Sequence, residues 1–145
     1  DPETEAVLPL LDGDFAEVLL ACAEGRLGPI LRGRGPSLTI RPDHAATVVL
    51  ASGGYPGEYP TGLPIAGLNA ADGNPQAMIF HAGTRRGPDG TVLTAGGRVL
   101  ACTAWESTLA HAVDSAYRLA ESVSFTGRHF RRDIARRALH PQRSA

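Results

Sequence analysis

From Ser107 to Val123 the chain reads STLAHAVDSAYRLAESV, with Leu109, Ala112, Val113, Ala116, Ala120 and Val123 at helical spacing. An apolar stripe this one-sided needs a second layer to bury it. Ser107 is the expected N-cap. The second layer is supplied upstream, where Thr47 to Leu50 is a short β-branched run of the kind that fills a buried strand. QAMIFHAGT, from Gln76 to Thr84, is a further strand candidate, and extended flanks run on either side of Gly96-Gly97. Two helices, then four or five mainly antiparallel strands, then the packing helix make an α+β fold.

The opening DPETEAVLPLLDGDFAEVLLACAEGRLG reads as two short helices. Asp1 and Thr4 are candidate caps of the first, and Asp12-Gly13 ends it. Asp14, with Glu17 three residues on, resembles a capping box for the second. Phe15, Val18, Leu19 and Cys22 supply its apolar face, and Gly25 suits its C-terminal end. GPILRGRGPS is then expected to be a link with little regular structure. The 24 residues from Ser52 to Pro75, dense in glycine and proline, form a long loop, and loops of that length are usually functional or disordered. RRGPDGT is a hairpin turn on Asp89-Gly90. A short helix is expected around Asp133 to Leu139, followed by a loose tail.

A chain of 145 residues can bury a real core, and 43% hydrophobic with 20% charged residues is ordinary for a globular domain. The formal net charge of −1 gives no overall pull towards nucleic acid or a membrane. No apolar run reaches transmembrane length, so neither partner is expected. Cys22 and Cys102 sit in apolar contexts, and two buried, reduced thiols in a cytoplasmic protein are the expectation, with a disulfide as the alternative. Met78 is the only methionine, so the chain is expected to be a processed piece, an excised part or a segment of something longer. There is no lysine, and all 14 basic residues are arginines. Schiff-base chemistry and a lysine-dependent phosphate loop are therefore excluded within this chain.

No catalytic constellation closes in these residues. His44, His81, His111, His129 and His140 are scattered without zinc spacing, and the cysteines lack a C-x-x-C partner. The best local candidate is Gly96-Gly97-Arg98. Glycines let backbone amides approach an anion, and an arginine fork holds phosphate bidentately. The plainer alternative is a β-bulge with Arg98 paired to a surface carboxylate, and spacing alone favours it. His81 and Thr84 follow a strand end, where loops present functional side chains; a core histidine and a turn cap are their structural alternatives. Tyr55 and Tyr59 are candidate covers over a ligand, or merely pack on the domain. The arginines at 128, 131, 132, 136 and 137 enclose one aromatic, Phe130, which suits a solvated helix face or a domain contact better than nucleic acid.

Taken in order, DPETEAVLPLL, VVLASGGYPGEYPTG, IFHAGT, TAGGRVLACTA, AYRLAE and RRDIARRAL resemble the C-terminal part of the phosphoribosylamine–glycine ligase family. The resemblance covers essentially the whole chain. It implies an ATP-grasp enzyme of purine biosynthesis, in which ATP phosphorylates glycine and the amine of 5-phosphoribosylamine attacks the acyl phosphate. Residues 1–37 would be the end of the ATP-grasp core and residues 38–145 the C-terminal α+β domain that closes over it. ATP and Mg2+ (or Mn2+) would be bound mainly by residues outside this chain, and the partners would be the N-terminal and ATP-grasp domains of the same enzyme. By analogy with related ligases, Gly96, Gly97 and Arg98 would hold the ribose phosphate, with His81, Gly83 and Thr84 nearby. Asp1 and Glu3 would sit at the edge of the nucleotide–metal site in a structural role, and no catalytic or metal-ligating residue is expected. Against the family pattern, Ala95 stands where asparagine is frequent and Ala135 where glycine is frequent, and Trp105-Glu106 replaces smaller residues. A stand-alone phosphosugar-binding module or a purely structural lid are the competing readings.

Overall fold

The computed structural model describes residues 2–33 and 38–140. Asp1, a proposed cap, and part of the expected link lie outside them. The sheet that organises the chain has the order β3-β7-β4, with β3 at His44–Ala51, β4 at Ala77–His81 and β7 at Arg98–Glu106, all antiparallel. Val48 opposes Cys102 and Leu50 opposes Leu100. Ala46, Val48 and Leu50 of β3, with Leu100, Cys102 and Ala104 of β7, join one buried cluster.

The stripe predicted from Leu109 onward forms α4, Leu109–Ser122, and packs on β3 and β7 through Ala112, Val113, Ala116, Leu119 and Ala120. A 14-residue helix is marginal alone, so burial on the sheet is what holds it. The N-cap is Thr108, whose hydroxyl accepts from the His111 amide at 3.3 Å, rather than the expected Ser107. Arg128 closes the other end: its guanidinium donates to the Val123 carbonyl and lies 5.1 Å over the Phe130 ring. That gives one member of the C-terminal arginine group a structural role. Arg131 pairs with Asp133 at 2.8 Å and Arg132 with Glu121 at 2.6 Å, as expected of a solvated face.

β7 is buried continuously from Val99 to Trp105, so both its faces are covered. α1, Glu3–Val7, packs against β3 and β7 and runs into a short 3-10 turn at Leu8–Leu10. It starts at Pro2 without a side-chain cap, so Thr4 does not serve as one. β1, Leu11–Asp12, pairs with β2, Thr39–Ile40. α2, Phe15–Ala23, starts as predicted, with the Asp14 carboxylate accepting from the Glu17 amide at 2.9 Å. Its buried residue, however, is Ala21; Leu19 and Cys22 are exposed, against the predicted apolar face and the expected burial of both thiols. Both cysteines are free, and Cys102 is buried, which pushes its thiol up to about 12. The supposed link carries a turn of helix, α3 at Leu27–Leu31, with Pro29 early enough in it to be tolerated.

β5, Thr84–Arg86, and β6, Val92–Thr94, form the predicted hairpin over Asp89-Gly90. α5 is shorter than expected, Arg136–Leu139, and is entered through Ala135 at φ 60°. Ala135 is the one non-glycine with positive φ among the described residues. A left-handed alanine costs about 1–2 kcal/mol that glycine avoids, partly offset by the greater unfolded-state freedom of glycine. Ala135→Gly is therefore expected to stabilise the protein by about 0.5–1 kcal/mol, read as a raised denaturation midpoint in urea at unchanged slope.

Candidate functional site

Three segments far apart in sequence meet at the start of β7. Val99 is the extra residue there: Leu50 faces Leu100 while Ala51 faces Arg98, so a bulge lies beside the glycine pair. The structural alternative for Gly96-Gly97-Arg98 is thus present in part. The rest of the geometry concerns how closely other backbone approaches. A Cβ placed on Gly83 would stand 2.6 Å from the Gly96 Cα and 2.7 Å from the Arg98 carbonyl oxygen. One on Gly97 would stand 2.1 Å from Cδ2 of the Tyr55 ring. At Gly83 a side chain would run into backbone, and at Gly97 it would displace the Tyr55 ring.

Hydrogen bonds tie the carbonyls of this step. The Gly96 carbonyl accepts from Ser52 Oγ at 2.8 Å, the Gly97 carbonyl from the Ser52 amide at 2.8 Å, and the Arg98 carbonyl from the Gly83 amide at 2.9 Å. The amides differ. Neither Gly96 N–H nor Gly97 N–H donates to any described residue, although Gly97 is buried. Buried amides without an acceptor are rare, and an anion is one natural acceptor. The Arg98 side chain is exposed at the mouth of this step.

His81 and Thr84 are brought together, with His81 Nδ1 and Thr84 Oγ1 3.0 Å apart. His81 is exposed, which removes the core-histidine alternative. With Arg85, Arg86 and Val92 they line a shallow depression of about 290 Å³. Gly83 lies between this depression and Gly96-Gly97, so all six residues singled out from the sequence share one end of the sheet. Sequence reasoning did not single out Ser52, Arg85 or Arg86. Tyr55 and Tyr59 contact each other edge to face, with centroids 6.0 Å apart, and Tyr55 roofs Gly97. A larger open concavity of about 950 Å³ lies along Arg131–His140, and none of the six lines it.

The family model described as phosphoribosylglycinamide synthetase, C domain, matches residues 45–137. The chain belongs to this family. The matched span of the synthetase C domain runs from within β3 to within α5 and includes every residue of the candidate site. A phosphoribosylamine–glycine ligase from Synechocystis is 46% identical over 139 residues, covering 96% of this chain and 32% of that protein. A bifunctional purine biosynthetic protein of Dictyostelium discoideum is 44% identical over 97% of this chain and 16% of its own length. The crystal structure of the phosphoribosylamine–glycine ligase of Thermotoga maritima superposes with a TM-score of 0.67 at 34% identity, over 92% of this chain and 30% of that one. The chain therefore spans about a third or less of these relatives.

Among the described residues, no three His, Cys, Asp or Glu side chains come together as a metal site, and no helix is long and apolar enough to cross a membrane.

Proposed function

We propose that this chain acts as the C-terminal part of a phosphoribosylamine–glycine ligase, which joins glycine to 5-phosphoribosylamine with hydrolysis of ATP to ADP and phosphate. Its contribution is to hold the substrate's ribose 5-phosphate and close the site. One observation supports this most: two adjacent amides, Gly96 and Gly97, donate to no described residue and directly precede Arg98, which is exposed. A phosphate dianion accepts from such amides and from an arginine fork at once. His81, Gly83 and Thr84 flank that position, and His81 and Thr84 are already hydrogen-bonded to each other.

Residues 1–37 belong in this reading to the tail of an ATP-grasp core and residues 38–145 to the closing domain. ATP and Mg2+ (or Mn2+) are bound by domains outside the chain, and the setting is cytoplasmic. The full-length protein carrying this segment should release ADP only when phosphoribosylamine and glycine are both supplied, with glycinamide ribonucleotide seen by mass spectrometry. ADP release independent of phosphoribosylamine would defeat the proposal, and no ADP release at all would favour a non-catalytic phosphosugar-binding module.

A further inference from the structure

We infer that Ser52 is the positioning residue of the phosphate loop, setting the direction in which the Gly97 amide points. The inference rests on the phosphate reading of Gly96-Gly97-Arg98 given above.

Ser52 is 1% exposed and uses its amide, hydroxyl and carbonyl on neighbours in this cluster. Its hydroxyl holds the Gly96 carbonyl and its amide holds the Gly97 carbonyl, each at 2.8 Å. Its own carbonyl accepts from the Tyr55 amide at 3.0 Å, which fixes the residue whose ring covers Gly97. The cis peptide among the described residues is Tyr55-Pro56, so the peptides following Gly96 and Gly97 are trans. In a planar trans peptide the N–H points opposite to the preceding C=O. With the Gly96 carbonyl aimed at the Ser52 hydroxyl, the Gly97 amide, which donates to no described residue, must leave on the side away from it.

An amide aimed away from its neighbours in this way is a donor for an anion brought up to the loop. Glycine has no Cβ to resist rotation of its peptides, so Gly96-Gly97 would otherwise sample several orientations. The Ser52 hydroxyl is the side-chain restraint on the first of these peptides. Without it, the Gly96 carbonyl can turn and carry the Gly97 amide away from the phosphate.

Ser52 touches no substrate in this scheme, so the test must separate positioning from general support. In the full-length ligase, Ser52→Ala is expected to raise KM for phosphoribosylamine about 5- to 10-fold, the size of one lost hydrogen bond acting through another. Its kcat should change less than about 2-fold, and KM for ATP and glycine should stay put. Ser52→Thr, which keeps the hydroxyl, should recover most of the loss if the added methyl is accommodated, with thermal unfolding of both variants measured alongside. Arg98→Ala serves as the reference. If Arg98→Ala raises KM for phosphoribosylamine and Ser52→Ala does not, Ser52 has no positioning role while the phosphate site stands. If neither moves it, the phosphate reading itself fails. A Ser52→Ala variant that loses affinity for all three substrates together, or whose loss follows a lowered melting temperature, shows mere structural support and also overturns the inference.

Discussion

Replacing Arg98 with alanine in the full-length ligase is expected to raise KM for phosphoribosylamine roughly 10- to 150-fold while leaving ATP binding nearly intact. The range follows from the worth of a charge-assisted, bidentate hydrogen-bond pair, about 1.5–3 kcal/mol at about 1.4 kcal/mol per decade. Arg98 is exposed and follows directly on two amides that donate to no described residue, so its removal takes away charge where the backbone already supplies donors. The backbone donors remain in the variant, and binding should weaken rather than vanish. Arg98→Lys keeps the charge but not the planar fork, and is expected to fall between wild type and alanine. The measurement is initial rate against each substrate in turn. A specificity constant for phosphoribosylamine unchanged by Arg98→Ala would remove this residue from the site.

The parts of this architecture readable from the sequence are those in which one physical cause acts locally. The stripe from Leu109 to Val123 has helical spacing because one face must bury, and α4 buries that face on β3 and β7. Asp14 and Glu17 announce α2 because a cap is made within one turn. Thr108 and Ser107 are adjacent hydroxyls, and the extended backbone at Thr108 decides between them, which composition does not encode. Leu19 and Cys22 have the spacing of an inward face, yet only packing determines that Ala21 is the residue buried. The site is the opposite case. Ser52 reaches Gly96 across 44 residues, so no local pattern marks it. Gly-Gly-Arg on its own reads equally as a bulge, and the structure has a bulge beside it. The family resemblance carried by GGYPG, HAGT and GGRVL singled out the step, and in the structure those segments meet at Tyr55, Gly83 and Gly97.

That convergence makes Gly83 the position where the smallest change should do the most damage to the fold. Gly83→Ala is expected to destabilise the protein by about 2–3 kcal/mol, at the upper end of overpacking effects. The new methyl would meet backbone on three sides: the Gly96 Cα at 2.6 Å, the Arg98 carbonyl oxygen at 2.7 Å and the Gly96 amide nitrogen at 2.8 Å. No rotamer relieves this, since a Cβ has none and the atoms it meets are not the ends of flexible side chains. Relief requires the two backbone segments to separate, which breaks the Gly83 amide bond to Arg98 at 2.9 Å and the Ala95 amide bond to Gly83 at 2.7 Å. Gly96→Ala is a control at the same contact: its Cβ would stand 3.0 Å from the Gly83 Cα, a tight approach that a small shift accommodates. Gly97→Ala is intermediate, because it meets the Tyr55 ring, which can swing aside at the expense of the roof over the loop. Urea unfolding should therefore rank the three losses Gly83, then Gly97, then Gly96. A Gly83→Ala midpoint equal to wild type would mean that the backbones do not approach this closely in solution.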